Sequence, residues 1–259
     1  MDPTRFSFGL GIGAPLAGVV WVLSAGFFAA CDSADGGIYP SSVERGGALY
    51  DKYWLVTGDE APSGENRLWA RRPDKESNQR SGPDTWRCKE CHGWDYRGEE
   101  GEYGQGGHRT GIRGIVGTNL DEDELIKELR DDHGYGDAGV STPDLRDLAA
   151  FVREAAGEVT NAIDNQGKFR GDADQGQTIY RRICQQCHGQ DGLNERPQGS
   201  VGNFQEFPGK LAQESPWEFL HKVRFGHPGT PMPPQNQALS ANELADLGAH
   251  AQTLPSSKD

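Results

Sequence analysis

At 259 residues the chain can hold one large domain or two of about 100 to 130 residues each. Only 34% of it is apolar and 36 residues are glycine, so the cores must be small, the connections long, and something other than side chains is expected to help fill the interior. A net charge of −13 argues against nucleic acid as a partner and favours basic docking faces on other proteins, with association slowed by salt.

Residues 6–30, "FSFGLGIGAPLAGVVWVLSAGFFAA", carry no charge and, at about 1.5 Å per helical residue, can cross a hydrocarbon layer of roughly 30 Å. Three fates are open for residues 1–31: a cleaved secretory signal, an uncleaved anchor, or a lipoprotein signal ending at "FAAC" with Cys31 carrying the lipid. Cys31 follows small residues and precedes a polar tether, residues 32–42, which favours lipidation; the length of the apolar run keeps the anchor open. Each fate puts the remainder outside the cytoplasm, periplasmic or at the cell surface, and the lipoprotein and anchor fates tie it to a membrane.

The other four cysteines fall in two similar runs, "CKECHGWDYRG" from Cys88 and "CQQCHGQDG" from Cys184. Each is preceded by a helical pattern in which Gly46 and Tyr50 correspond to Gly176 and Tyr180. The second helix runs straight into its cysteines, whereas residues 55–87 interrupt the first. That insertion is charged and rich in turn residues, so it reads as a surface excursion. Each run is followed by a Gly-rich loop and a helix: "DEDELIKELRDDHG", with acids at the positive end of its dipole, and "SPWEFLHKVRFG", where Ser215 and Glu218 have capping-box spacing. A closing helix ends each unit, with Leu145, Leu148 and Phe151 at helical spacing in one, and Leu244 and Leu247 behind a Ser240/Glu243 capping pair in the other. No convincing strand is present in either.

In C-x-x-C-H, positions i, i+3 and i+4 of a helical turn share a face, so two thiols and an imidazole converge on one object. A zinc site would recruit a fourth ligand from a second Cys or His pair, and each run stands alone. The spacing is that of covalent c-type haem attachment, with Cys88, Cys91, Cys184 and Cys187 forming thioethers and His92 and His188 taking the proximal iron positions.

On these motifs, together with Gly and Tyr of the first helix and the "MP" of a distal loop, residues 43 to about 255 resemble class I c-type cytochromes in tandem. The runs "CKECHGWDYRG" and "PWEFLHKVRFGHPGTPMP" further resemble a family of bacterial dihaem cytochromes. The resemblance implies an all-α fold of two tandem class I cytochrome c modules around two covalently bound haem c groups. The modules would span residues 43–157, with the insertion 55–87, and 172–255, joined by a linker at 158–171.

In the second module the resemblance puts Met232, 44 residues beyond His188, at the distal iron position. For the first, superposing the closing helices sets Met232 over His133, which lies 41 residues after His92. Superposing the preceding helices instead pairs His133 with His227, and His108 is the rival ligand; an open iron is a third reading. His221, mid-helix beside Lys222, is expected at the surface, and Trp86, Trp94, Tyr96 and Trp217 are expected to pack against haem.

Methionine ligation raises an iron's reduction potential, so a His/His first haem would pass electrons to a His/Met second haem. The expected function is electron transfer between redox partners by a membrane-tethered dihaem carrier. Two alternatives stay open: a haem enzyme acting on a thiosulfate- or peroxide-type substrate, or a subunit of a homo-oligomeric extracellular cytochrome filament.

Overall fold

A computed structural model describes residues 39–157, 161–194 and 206–258. The apolar N-terminal segment and Cys31 lie outside the described residues. Among the described residues no helix is long and apolar enough to cross a membrane, and β-structure is confined to two isolated bridges, Gly98 with Arg113 and Ile163 with Phe169.

Helix α1, Ser42–Thr57, starts where the Ser41 side chain accepts from the Glu44 amide and stops at Gly58, whose φ of 78° ends the helix. It is broken at Lys52 (φ −146°, ψ 85°). There the Asp51 carbonyl accepts from Arg87 Nε at 3.1 Å, so the break is stabilised by a side chain from outside the helix. Helix α2, Cys88–His92, carries the first cysteine run. Helix α3, Glu122–Lys127, opens with a capping box between Asp121 and Glu124 and runs on into a five-residue π-helical turn, Glu128–Asp132. Helix α4, Thr142–Glu154, closes the first half behind a Ser141/Asp144 capping box.

The second half repeats the scheme with α5, Ala173–Ile183, α6, Gln185–His188, α7, Pro208–Glu214, α8, Pro216–Phe225, and α9, Ala241–Ala251. The anticipated Ser240/Glu243 box is formed. The one anticipated at Ser215 is not: the side chain caps nothing, because Ser215 also ends α7, its amide donating to the Leu211 carbonyl.

In each half the first and last helices cross with backbones in contact. A Cβ on Gly46 would lie 2.0 Å from the Asp147 carbonyl oxygen, and one on Gly176 would lie 1.9 Å from that of Asp246. Only hydrogen fits at either crossing. Tyr50 packs on Phe151 and Tyr180 on His250, both with ring centres 5.2 Å apart. Each half thus buries its own apolar cluster, with Leu145, Leu148 and Phe151 in one and Leu244 and Leu247 in the other.

Helix α8 joins the two. Its Phe219, Leu220 and Val223 belong to the second cluster, while Phe225 belongs to the first and lies where a Cβ on Gly47 would sit. His221, expected at the surface, is instead 1% exposed. Its Nε2 donates to the Gly47 carbonyl at 3.0 Å, an oxygen that can only accept, so Nδ1 is the acceptor for the Tyr96 hydroxyl at 2.7 Å. The reading failed because the apolar stripe of α8 serves two cores on different faces.

The insertion also departs from expectation. It contributes a buried Trp69, and Arg72 stacks over that ring at 4.1 Å while donating to the carbonyls of Trp69, Lys75 and Asn78. Some of its polar side chains serve its own backbone and others reach carbonyls of the body, so a segment of surface-like composition folds against the rest of the chain. Part of the expected linker is likewise packed, with Ala162, Ile163 and Phe169 in the second cluster.

Candidate functional site

Helix α2 sets Cys88, Cys91 and His92 on one turn, and Gly93, at φ 77°, turns the chain away directly after the histidine. Tyr50 of α1 fixes that turn, donating to the Gly93 carbonyl at 2.6 Å. The second run is built alike: Gly189 has φ 83°, and Tyr180 donates to its carbonyl at 2.9 Å. The correspondence seen in the sequence between Gly46/Tyr50 and Gly176/Tyr180 therefore has one geometric meaning in both halves.

The His92 Nδ1 lies 2.8 Å from the Arg113 carbonyl. A carbonyl requires a donor, so Nδ1 carries the proton and Nε2 keeps its lone pair. His133 is the same in kind, its Nδ1 being 3.1 Å from the Glu128 carbonyl. The two rings face each other with centres 6.3 Å apart and planes inclined by 36°. Of the two rival residues, the structure thus brings His133 to His92. His108 is engaged otherwise, stacked on Tyr103 at 4.9 Å with its Nδ1 3.7 Å from a carboxylate oxygen of Glu90.

What delivers His133 is the π-helical turn, which adds a residue to the last turn of the helix and so re-aims whatever follows it. Neither the turn nor its consequence can be read from "KELRDDHG", whose pattern is that of an ordinary helix. Tyr135 then lies beside His133, ring planes 9° apart, and its hydroxyl donates to the Trp86 carbonyl at 2.7 Å and approaches the Cys88 sulfur at 3.3 Å.

In the second half, His188 ends α6, with the Asn194 amide on its carbonyl at 3.0 Å. Met232 is half-buried against the second cluster, and its amide donates to Thr230 Oγ1 at 3.2 Å. Cys88, Cys91 and Cys184 are free thiols.

Burial sets the protonation states. It pushes the His92 imidazole down to about 4 and lowers that of His188, which favours the neutral, lone-pair-bearing form of both near pH 7. It pushes the thiols up, to about 11 for Cys88 and about 12 for Cys91 and Cys184. Between the halves, burial alone would raise the Asp51 carboxyl, but Arg87 and Lys222 hold it well below the usual carboxylate range. Arg87, Lys89 and Lys222 also surround the ring of Trp94, which lies 4.9 Å from that of His221. Trp94 and Tyr96 thereby serve the seam between halves, a role their position beside the cysteine run did not suggest.

Among the described residues no three His, Cys, Asp or Glu side chains group as a site for a bare metal ion. Two imidazoles with ring centres 6.3 Å apart, each with Nδ1 on a backbone carbonyl, suit the axial demands of a haem iron, whose remaining ligands come from the porphyrin. The described residues are helical, and each half carries a C-x-x-C-H turn set on the same scaffold. Residues 171–250 match the family described as cytochrome C oxidase, cbb3-type, subunit III, which indicates a c-type cytochrome domain there, a kind of domain that carries covalently bound haem c and transfers electrons to partner proteins outside the cytoplasm. No curated protein and no solved structure matches the chain.

Proposed function

We propose that the protein is a membrane-tethered dihaem cytochrome c that relays electrons between redox partners outside the cytoplasm. One haem would be held by Cys88, Cys91, His92 and His133, the other by Cys184, Cys187, His188 and Met232.

The observation that carries the reading is the His92/His133 pair. A metal bonded to one nitrogen of each ring at roughly 2 Å sets the ring centres about 6 Å apart, and the rings stand 6.3 Å apart. When bound, haem iron supplies one-electron chemistry, at a potential that methionine ligation raises, so electrons would run from the first site to the second. The chain's own contribution is orientation. The Arg113 and Glu128 carbonyls hold each Nδ1 proton, fixing the tautomer and making Nε2 a better donor to iron. With His92 and His133 both holding the iron, no coordination position would remain for a substrate, which favours a carrier over a thiosulfate- or peroxide-type enzyme. The apolar residues 6–30 and Cys31 would supply the tether.

A redox titration of the holoprotein followed by low-temperature electron paramagnetic resonance tests this. The expected result is two low-spin haems, a bis-histidine centre of lower potential and a His/Met centre of higher potential. A mass for one haem per chain, or a high-spin resting centre that binds carbon monoxide when reduced, overturns it.

A further inference from the structure

We infer that residues 55–87, which have no counterpart before the second cysteine run, act as a brace that holds His133 in its axial position, with Asn66 and Arg67 as the positioning residues. This rests on the ligand reading above. In the second half Ile183 directly precedes Cys184, so covalent attachment by itself needs no such segment.

The last carbonyls of a helical turn lack partners within it, and a π turn leaves them poorly served. The brace takes both. Asn66 Nδ2 donates to the His133 carbonyl at 3.0 Å, and Arg67 Nε to that of Asp132 at 3.2 Å. Asn66, 6% exposed, is itself fixed: its amide donates to Thr85 Oγ1 at 2.9 Å, its Oδ1 accepts from the Leu68 amide at 2.8 Å, and its carbonyl accepts from Trp69 at 2.9 Å. At the far end of the same segment, the Trp86 carbonyl accepts from the Tyr135 hydroxyl, whose ring lies parallel to that of His133. His133 is thus tied to the segment from its backbone and from its ring side.

Ligand chemistry explains why only one half carries a brace. A methionine reaches an iron through three rotatable bonds and adapts to a loop fixed locally, here by Thr230. An imidazole turns about two bonds, so its backbone has to be held where the ring will point.

The decisive variant is Asn66→Asp in the full-length holoprotein. It is nearly isosteric and keeps the acceptor for Leu68, but an ionised carboxylate cannot donate to the His133 carbonyl. Exogenous imidazole should then compete with His133 and bind the oxidised first haem roughly tenfold more tightly than in the wild type. The second haem's spectrum, unchanged, reports that the chain is folded. Should Asn66→Asp fail to incorporate haem, the exposed Arg67→Met carries the same test with an effect of about threefold. His133→Ala, assayed in parallel, separates the two readings. If its first haem stays low-spin, the ligand assignment falls and the brace with it. If it turns high-spin while Asn66→Asp and Arg67→Met bind imidazole as the wild type does, the brace alone is overturned.

Discussion

At the scale of single residues, function depends on which nitrogen or sulfur is left free. His92 and His133 each have Nδ1 on a backbone carbonyl, which on the proposed reading leaves Nε2 to bind iron. Met232 sits on a loop whose hydrogen bonds are local: Thr230 Oγ1 accepts from its amide and donates to the His227 carbonyl. On the proposed ligand set, Met232→Ala should leave the fold intact and lower the potential of the second haem alone, by on the order of 0.1 V. A spectroelectrochemical titration in which both midpoints match the wild type would remove Met232 from the ligand set.

At the scale of elements, the repeated crossing of first and last helices is the framework. Helix propensity by itself favours alanine over glycine by about 1 kcal/mol, so Gly46→Ala and Gly176→Ala ought to stabilise α1 and α5. The crossings reverse the sign, because each new Cβ would overlap a carbonyl oxygen of α4 or α9. Each substitution should cost roughly 1–3 kcal/mol in urea unfolding. Gly107→Ala, where a Cβ meets nothing within 4 Å, should stay within about 0.5 kcal/mol of the wild type. Equal effects at all three positions would mean the helices do not meet backbone to backbone.

At the scale of the whole molecule, α8 binds the halves together, since it fills one core with Phe219, Leu220 and Val223 and the other with Phe225. His221 sits at that seam as a neutral imidazole, burial having pushed it down to about 3. A histidine whose folded value is depressed below the unfolded 6.5 costs nothing above that pH and subtracts stability as pH falls toward 3. Asp51, held well below the carboxylate range although burial opposes it, does not titrate in that window. Between pH 7 and pH 5 the wild type should lose about 2 kcal/mol more than His221→Gln in urea unfolding followed by circular dichroism. Parallel losses in the two proteins would place the acid sensitivity elsewhere.

The all-helical character, the two cysteine runs, the pairing of Gly46 with Gly176 and of Tyr50 with Tyr180, and the candidate status of His133 were legible in the sequence, because each rests on local spacing that a helical turn converts directly into geometry. The choice of His133 over His108 as the neighbour of His92 was not. It depends on a π turn that no periodicity reveals and on Asn66, whose target carbonyl lies 67 positions further along the chain. His221 was misread for a related reason: a helix that serves two cores has no single polar face, and which side chains are buried is settled only when both halves close around it.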